Sequence, residues 1–383
     1  MTEDWTTRAR QLADQLTADG VLHDQRWHRA LTAVPRHRLA PRIYQQTGTA
    51  WQLIDGDDPA QREQWLAAVY ANTGLVTALA EENGQQVTRS STTTPSLMIR
   101  MLEALDLDGG HRVLEIGTGT GYNAALLAHA LGAANVYSVD VDRDLVDLAR
   151  DRLAALGIRP TLLTADGAAG LPEHGPYDRI IATCALPTVP WSWAGQLHVG
   201  GIALVDVKPL VNAGNLVRLH RKPDRLEGRF LPKWATFMPM RSAQFPLDAA
   251  AAGYDHRVGR LSATSLPASP FDNLVAWFLA HFHLPAGIWS GLRLDQGTGE
   301  PVAHFLTATD GSWYDVELAA EDGYRKVRQG GAQQLWSHLE TALLSWRELG
   351  RPGWERFGMT VTPDATWIWL DHPAHRIGEL SHR

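Results

Sequence analysis

Near the N-terminus, apolar residues recur at helical spacing, in short runs that turn-forming residues keep interrupting. Leu12, Leu16 and Leu22 come first. Trp27, Leu31 and Val34 then lead up to Pro35, which stops a helix. Helical patterning resumes across 61–70. The stretch from 7 to 82 is therefore expected to hold short amphipathic helices joined by turns.

From 91 to 241 the rhythm becomes an alternation of helix and strand. A helix over 95–105 precedes the apolar run 112–116, and a second helix, 122–131, follows a glycine-rich turn. A strand at 136–139, a helix at 143–156, and strands near 162–163, 179–183, 202–207 and 216–221 complete the series. Strands separated by helices predict βαβ units in a mainly parallel sheet. Beyond 242 the pattern changes again. An Ala-rich stretch, 245–253, reads as a linker, followed by helices at 271–283 and 332–349 and strands at 302–307, 313–318 and 365–370. The expected fold class is α/β: a Rossmann-like, doubly wound domain over 1–244, with a helical N-terminal segment over 1–90 and a core over 91–244. A C-terminal α+β accessory domain over 245–383 completes it.

Composition narrows the function without naming it. The 383 residues carry a formal net charge of -7, with 44% hydrophobic and 20% charged residues. That balance fits a globular protein with an ample core and argues against a non-specific nucleic-acid binder. The first residues carry charge throughout and no apolar run is long enough to cross a bilayer, so a cytoplasmic protein is expected, with no membrane partner. The single cysteine, Cys184, excludes an intramolecular disulfide and reads as a small apolar filler. His281-Phe282-His283 and His372 with His375 lack carboxylate or cysteine partners at zinc spacing, so no metal is expected.

The strongest chemical signal is Val113-Leu114-Glu115-Ile116-Gly117-Thr118-Gly119-Thr120-Gly121. Its glycines permit positive φ and close approach of backbone to a ligand, and a helix N-terminus follows. Such a turn alone fits any nucleotide. Asp140, followed by Val141, ends the next strand about 20 residues on, where a carboxylate accepts from both ribose hydroxyls. Glu115 sits awkwardly for a dinucleotide pyrophosphate but suits a ligand carrying an α-ammonium and a sulfonium, as S-adenosyl-L-methionine does. Asp166, with Gly167 after it, is placed to accept from an adenine amino group. A nicotinamide dinucleotide fits less well, since the third glycine of GxGxxG is missing. Solvated acids around a structural turn remain the plain alternative, against which four features in register argue.

Further segments resemble one family, the protein-L-isoaspartate O-methyltransferases, from residue 12 to 241. Val34-Pro35-Arg36-His37 with Ala40-Pro41 is similar to its VPRH element. Asp166-Gly167, Leu171-Pro172-Glu173-His174, Pro176-Tyr177-Asp178-Arg179-Ile180-Ile181 and Gly200-Gly201-Ile202-Ala203-Leu204-Val205 resemble its later strands, and Phe237-Met238-Pro239-Met240 the end of its catalytic domain. The resemblance implies an S-adenosyl-L-methionine-dependent enzyme methylating a carboxylate on a peptide or protein. Small-molecule methyltransferases share the glycine loop but not these segments. The family's acceptor-site serine aligns with Thr93, in Ser91-Thr92-Thr93-Thr94-Pro95; Thr92 and Ser91 lie within a small shift of register. The same residues also read as an N-cap cluster with Pro at N1.

Two departures bear on the substrate. Thr stands where the family has Ser, and about 140 residues follow Arg241, with eight tryptophans among them. Most of these read as core, while a few are candidates for a peptide groove. Tyr324-Arg325-Lys326-Val327-Arg328-Gln329-Gly330-Gly331 and Arg356-Phe357-Gly358-Met359-Thr360-Val361-Thr362-Pro363 resemble a branch found with ribosomally made, modified peptides in actinobacteria. That resemblance implies methylation of an Asp in a macrocyclic precursor (a graspetide, lanthipeptide or lasso peptide), collapse of the ester to an aspartimide, and peptide recognition by the extension. Repair of isoaspartyl residues in damaged proteins is the alternative. A silent peptide-binding protein on the same fold is a third reading, against which the intact Glu115, Asp140 and Asp166 set argues.

Overall fold

The computed structural model describes residues 3–380 other than 49, 83, 246–252, 256 and 286. The chain opens with helices α1 (Glu3–Ala18), α2 (Gln25–Ala33) and the short α3 (Arg36–Leu39). Asp24 caps α2 by accepting the Arg26 N–H. The next segment departs from the helical expectation. Strands β1 (Arg42–Thr47), β2 (Ala50–Asp55), β3 (Leu75–Glu82) and β4 (Gln85–Thr92) form an antiparallel sheet in the order β2-β1-β3-β4, and only α4 (Arg62–Val69) is helical. The reason is burial. In β1 and β2 only Ile43 and Ile54 are buried, so these strands carry no alternating apolar signal.

The core follows the expected alternation: α5 (Pro95–Ala104), β5 (Val113–Ile116), α6 (Tyr122–Leu131), β6 (Val136–Asp140), α7 (Arg143–Ala155) and β7 (Thr161–Thr164). Strand β8 (Tyr177–Leu186), the short α8 (Ser192–Gln196) and strands β9 (Leu197–Leu210), β10 (Ala213–Arg221) and β11 (Leu226–Phe230) follow. Strands β9-β8-β5-β6-β7 run parallel, and all four residues of β5 are buried, as a strand covered on both faces requires. The strand order reverses at β5, which opens a crevice beyond the carboxyl ends of β5, β6 and β8.

The extension supplies β12 (Arg260–Thr264), α9 (Leu274–Ala280), β13 (Ile288–Leu294), β14 (Pro301–Ala308), β15 (Trp313–Glu317), β16 (Arg325–Gly330) and α10 (Leu335–Glu348). Strands β17 (Phe357–Val361), β18 (Thr366–Leu370) and β19 (Arg376–Leu380) end it. Five of its strands make a separate antiparallel sheet, β12-β16-β15-β14-β13. The last three join the central sheet through the β11–β17 pairing, giving ten strands in the order β19-β18-β17-β11-β10-β9-β8-β5-β6-β7. The boundary expected at 244/245 thus does not coincide with a sheet boundary. Most of the expected linker lies outside the described residues.

Two cores cover the two faces of the central sheet. Leu16, Trp27, Ile99, Leu126 and Leu153 pack with Ile181, Leu204 and Leu216 on one face. On the other, Ile180, Ala203, Val205 and Leu219 share one cluster with Trp277, Phe278, Trp336 and Trp354 of the extension. The extension is therefore a covering layer of the sheet itself. Of its eight tryptophans, Trp277, Trp313, Trp336, Trp354 and Trp369 are buried, whereas Trp289 is 48% exposed. No described helix is long and apolar enough to cross a membrane.

Candidate active site

A cavity of ≈ 420 Å³ occupies the crevice, within the size range of small-molecule sites. Its lining has a first end, Glu115, Gly117, Thr118, Gly119, Asp140, Val141 and Gly167, and a second, Ser91, Thr92, Thr93 and Thr94, and the two meet where Gly119 approaches the Ser91 carbonyl.

At the first end, each carboxylate is held but not exhausted. Glu115 is buried; its Oε1 accepts from Asn123 Nδ2 at 2.7 Å and its Oε2 from the Ser138 hydroxyl at 2.6 Å. Ser138 in turn meets Thr118 Oγ1 at 2.7 Å. Burial pushes the Glu115 carboxyl up to about 7, against the pull of both hydrogen bonds. Asp140 ends β6 and accepts the N–H groups of Gly119 (3.0 Å) and Asp142 (3.1 Å). A carboxylate has about four acceptor sites, so Glu115 and Asp140 each keep two for a ligand.

The glycines divide into two roles. Gly117 (φ +99) lines the cavity, and a Cβ there would lie 2.6 Å from Thr183 Oγ1, which itself donates to the Gly117 carbonyl at 2.8 Å. Gly119 (φ +50) also lines it. Gly121 (φ +81) does not; its missing side chain lets α6 approach Ala149 and Leu153 of α7. Asp166 lies outside the lining residues as well. Its Oδ1 accepts from Ala168 N–H, and its Oδ2 accepts from the Ser242 hydroxyl (2.7 Å) and Ala243 N–H (3.2 Å). Asp166 thus anchors the chain that follows Arg241.

The acceptor end depends on a buried arginine. Arg36, in the VPRH element, is 1% exposed, and its guanidinium donates to the carbonyls of Val69, Ala71, Thr73 and Thr93. It also sits 5.4 Å from the centre of the Tyr122 ring. No carboxylate bonds to it among the described residues, so carbonyl dipoles and the Tyr122 ring, not an ion pair, hold its charge behind the Thr93 backbone. The Thr93 hydroxyl makes no hydrogen bond among the described residues. The capping reading of this cluster holds only partially: Thr94 is the N-cap of α5 and Pro95 its first residue, but the Thr94 side chain caps nothing.

Several contributors carry too little local signal to be found from sequence. Arg89 of β4 bonds to Asp142 Oδ1 and Oδ2 (2.6 and 2.7 Å) and to Asp144 (3.0 Å), while Arg241 reaches Asp142 at 3.4 Å. Both arginines line the cavity, and they tie β4 and the 236–241 segment to Asp142 at the start of α7. Cys184 lines it too, with burial pushing its thiol far above the usual range, so it is an apolar wall.

Known proteins give this geometry a family. The protein-L-isoaspartate(D-aspartate) O-methyltransferase family matches residues 7–243. Among curated relatives, the protein-L-isoaspartate O-methyltransferase of Ignicoccus hospitalis is 31% identical over 57% of this chain and 90% of its own length. That of Rhodospirillum rubrum is 31% identical over 56% and 96%. The Xanthobacter autotrophicus enzyme is 39% identical over 36% of this chain, an alignment spanning only 65% of the relative. A solved protein-L-isoaspartate O-methyltransferase structure shares the fold at TM-score 0.53 and 22% identity, covering 95% of this chain and 100% of that one. The chain belongs to the protein-L-isoaspartate(D-aspartate) O-methyltransferase family, whose members are S-adenosyl-L-methionine-dependent enzymes.

Proposed function

We propose that this protein transfers a methyl group from S-adenosyl-L-methionine to the carboxylate of an isoaspartyl residue in a peptide or protein. One observation carries the reading: the Glu115–Asp140 end and the Ser91–Thr94 loop face a single cavity. The residues fit the cofactor. Asp140 has capacity for two ribose hydroxyls, Glu115 for a cationic group, and Gly117 and Gly119 let the backbone approach. Bound there, S-adenosyl-L-methionine would supply a methyl on a sulfonium, with a neutral thioether as the leaving group.

The chain's own contribution is placement. An acceptor carboxylate is already ionised at neutral pH, so no general base is required. The Thr93 hydroxyl donates to one oxygen and leaves the other to attack, which is catalysis by proximity and orientation. Arg36 adds a fixed positive charge behind the loop without a direct ion pair that would blunt the nucleophile. The resulting ester is open to attack by the following backbone nitrogen, closing a succinimide with loss of methanol.

A second reading keeps the chemistry and changes the acceptor to an Asp of a macrocyclic ribosomal peptide, with the aspartimide as product. The extension and its exposed Trp289 favour it. The names of the relatives above favour the isoaspartyl acceptor. Mass spectrometry decides between them. The enzyme is incubated with S-adenosyl-L-methionine and an isoaspartyl peptide, its Asp isomer, and a macrocyclised precursor peptide. Methyl gain on the isoaspartyl peptide is expected. Methyl gain followed by methanol loss on the macrocycle alone would move the assignment to the second reading.

A further inference from the structure

Strand β9 carries two buried charges that the chemistry above does not use. Asp206 is fully buried and the Lys208 side chain 6% exposed; Lys208 Nζ lies 2.7 and 2.9 Å from the two carboxylate oxygens. Neither residue lines the cavity. Burying such a pair is costly, and an apolar pair of similar volume is often as stable, so the charges call for a reason.

Their other bonds supply one. Residues i and i+2 of a strand share a face. From that face Lys208 Nζ donates to the Ala235 carbonyl at 2.7 Å, and Asp206 Oδ2 accepts the Phe237 N–H at 3.0 Å. The ammonium also lies 5.2 Å from the Trp234 ring centre. Segment 235–237 belongs to no strand, and side chains here satisfy the backbone groups that a neighbouring strand would otherwise pair. Asn215 Oδ1 holds the Ala235 N–H at 3.0 Å as a third point. Thr236, Phe237 and Met238 line the cavity.

The segment has a separate anchor further on. Ala185 of β8 donates to the Met238 carbonyl and accepts the Met240 N–H, both at 2.8 Å. Met240 and Arg241, near the cofactor end, are fixed there without help from the pair.

We propose that Asp206 and Lys208 are positioning residues, a two-point latch that sets residues 235–237 as a wall of the acceptor site while leaving cofactor binding to other contacts. Only the kinetic readout of this proposal rests on the methyl-transfer reading.

The test is the double variant Asp206→Leu/Lys208→Met, which removes both latch bonds and leaves no unpaired buried charge. It is compared with Lys208→Arg, which keeps the charge and a donor. In the double variant, amides 235–237 are expected to exchange at least ~100-fold faster by hydrogen–deuterium exchange, as local opening becomes easy. Acceptor KM should rise about tenfold or more, with the cofactor Kd within about twofold. Lys208→Arg should recover much of both effects. A folded double variant with unchanged exchange and unchanged acceptor KM overturns the latch. Should the double variant not fold, the wild type still decides. A Phe237 amide protected like those of β9 supports the latch, and one exchanging like the 222–225 turn overturns it. Exchange needs no turnover, so a wild type that methylates no acceptor sinks the functional reading while the latch is judged on exchange alone.

Discussion

The two ends of the cavity solve opposite problems with opposite means. At the cofactor end, Glu115 and Asp140 sit at the ends of adjacent parallel strands, each fixed by two hydrogen bonds and each with acceptor capacity left over. That suits a cationic ligand with ribose hydroxyls. At the acceptor end there is no carboxylate among the lining residues. The two arginines that line the cavity are both paired, Arg89 with Asp142 and Asp144, and Arg241 with Asp142 and, at 4.0 Å, Asp140. On the proposed function, neutral hydroxyls face the acceptor and the buried Arg36 lies behind the Thr93 backbone. The difference teaches that an anionic nucleophile is best oriented by donors too weak to quench it, whereas a cationic donor is best held by full charges.

The sharpest way to break this contrast is Asp140→Ala, which removes the ribose acceptors and the anchor of the Gly119 N–H. Cofactor Kd by calorimetry should rise about 30-fold or more, since hydrogen bonds to a charged group contribute roughly 1.5–3 kcal/mol each. At the other end, Thr93→Ala should lower kcat/KM for the acceptor about tenfold with the cofactor Kd unchanged, and Thr93→Ser should retain most activity. A cofactor Kd that moved with Thr93 would mean that the two ends are not separable.

The pH dependence separates the ends again. The buried Glu115 titrates at about 7, and the cofactor's positive charge selects its ionised form. Cofactor binding should therefore weaken as pH falls below 7, by about tenfold per unit once Glu115 is protonated, and Glu115→Gln should flatten the profile. The sign for stability is opposite. Because burial raises this carboxyl above its unfolded value, the ligand-free protein loses that contribution as pH rises from about 4.5 through 7. Thermal melts over that interval check it.

The smallest effect concerns the glycines. Gly121→Ala, at φ +81 and against Leu153 at 3.1 Å, should lower stability by about 1–2 kcal/mol and leave the cofactor Kd nearly unchanged. Gly117→Ala should affect cofactor binding as well, because its Cβ meets Thr183 at the cavity wall.

What sequence could reveal follows the same divide. The cofactor end is local: strand, turn and helix are contiguous from Val113 to Leu131, and Asp140 follows within one βαβ unit, so spacing alone places them. Asp166 shows the limit of that reasoning. Its position after β7 is legible, but its bonds to Ser242 and Ala243 come from a segment 76 and 77 residues away. The acceptor end is assembled from VPRH, β4, the start of α5 and, as proposed, residues 235–237, and only a family resemblance joins these pieces. Strands β1–β4 escape a reading by pattern because few of their residues are buried. The extension's role escapes it for a different reason: the β11–β17 pairing links residues more than 120 positions apart, and no periodicity records which sheet a strand joins.

The central claim is that an oxygen of a carboxylate receives the methyl group in this cavity. The direct measurement is transfer of labelled methyl from S-adenosyl-L-methionine to an isoaspartyl peptide, followed by mild alkali. Label released as methanol, and formed about tenfold more slowly by Thr93→Ala, is the predicted result. Label that withstands alkali, as a methyl on nitrogen does, would contradict the account.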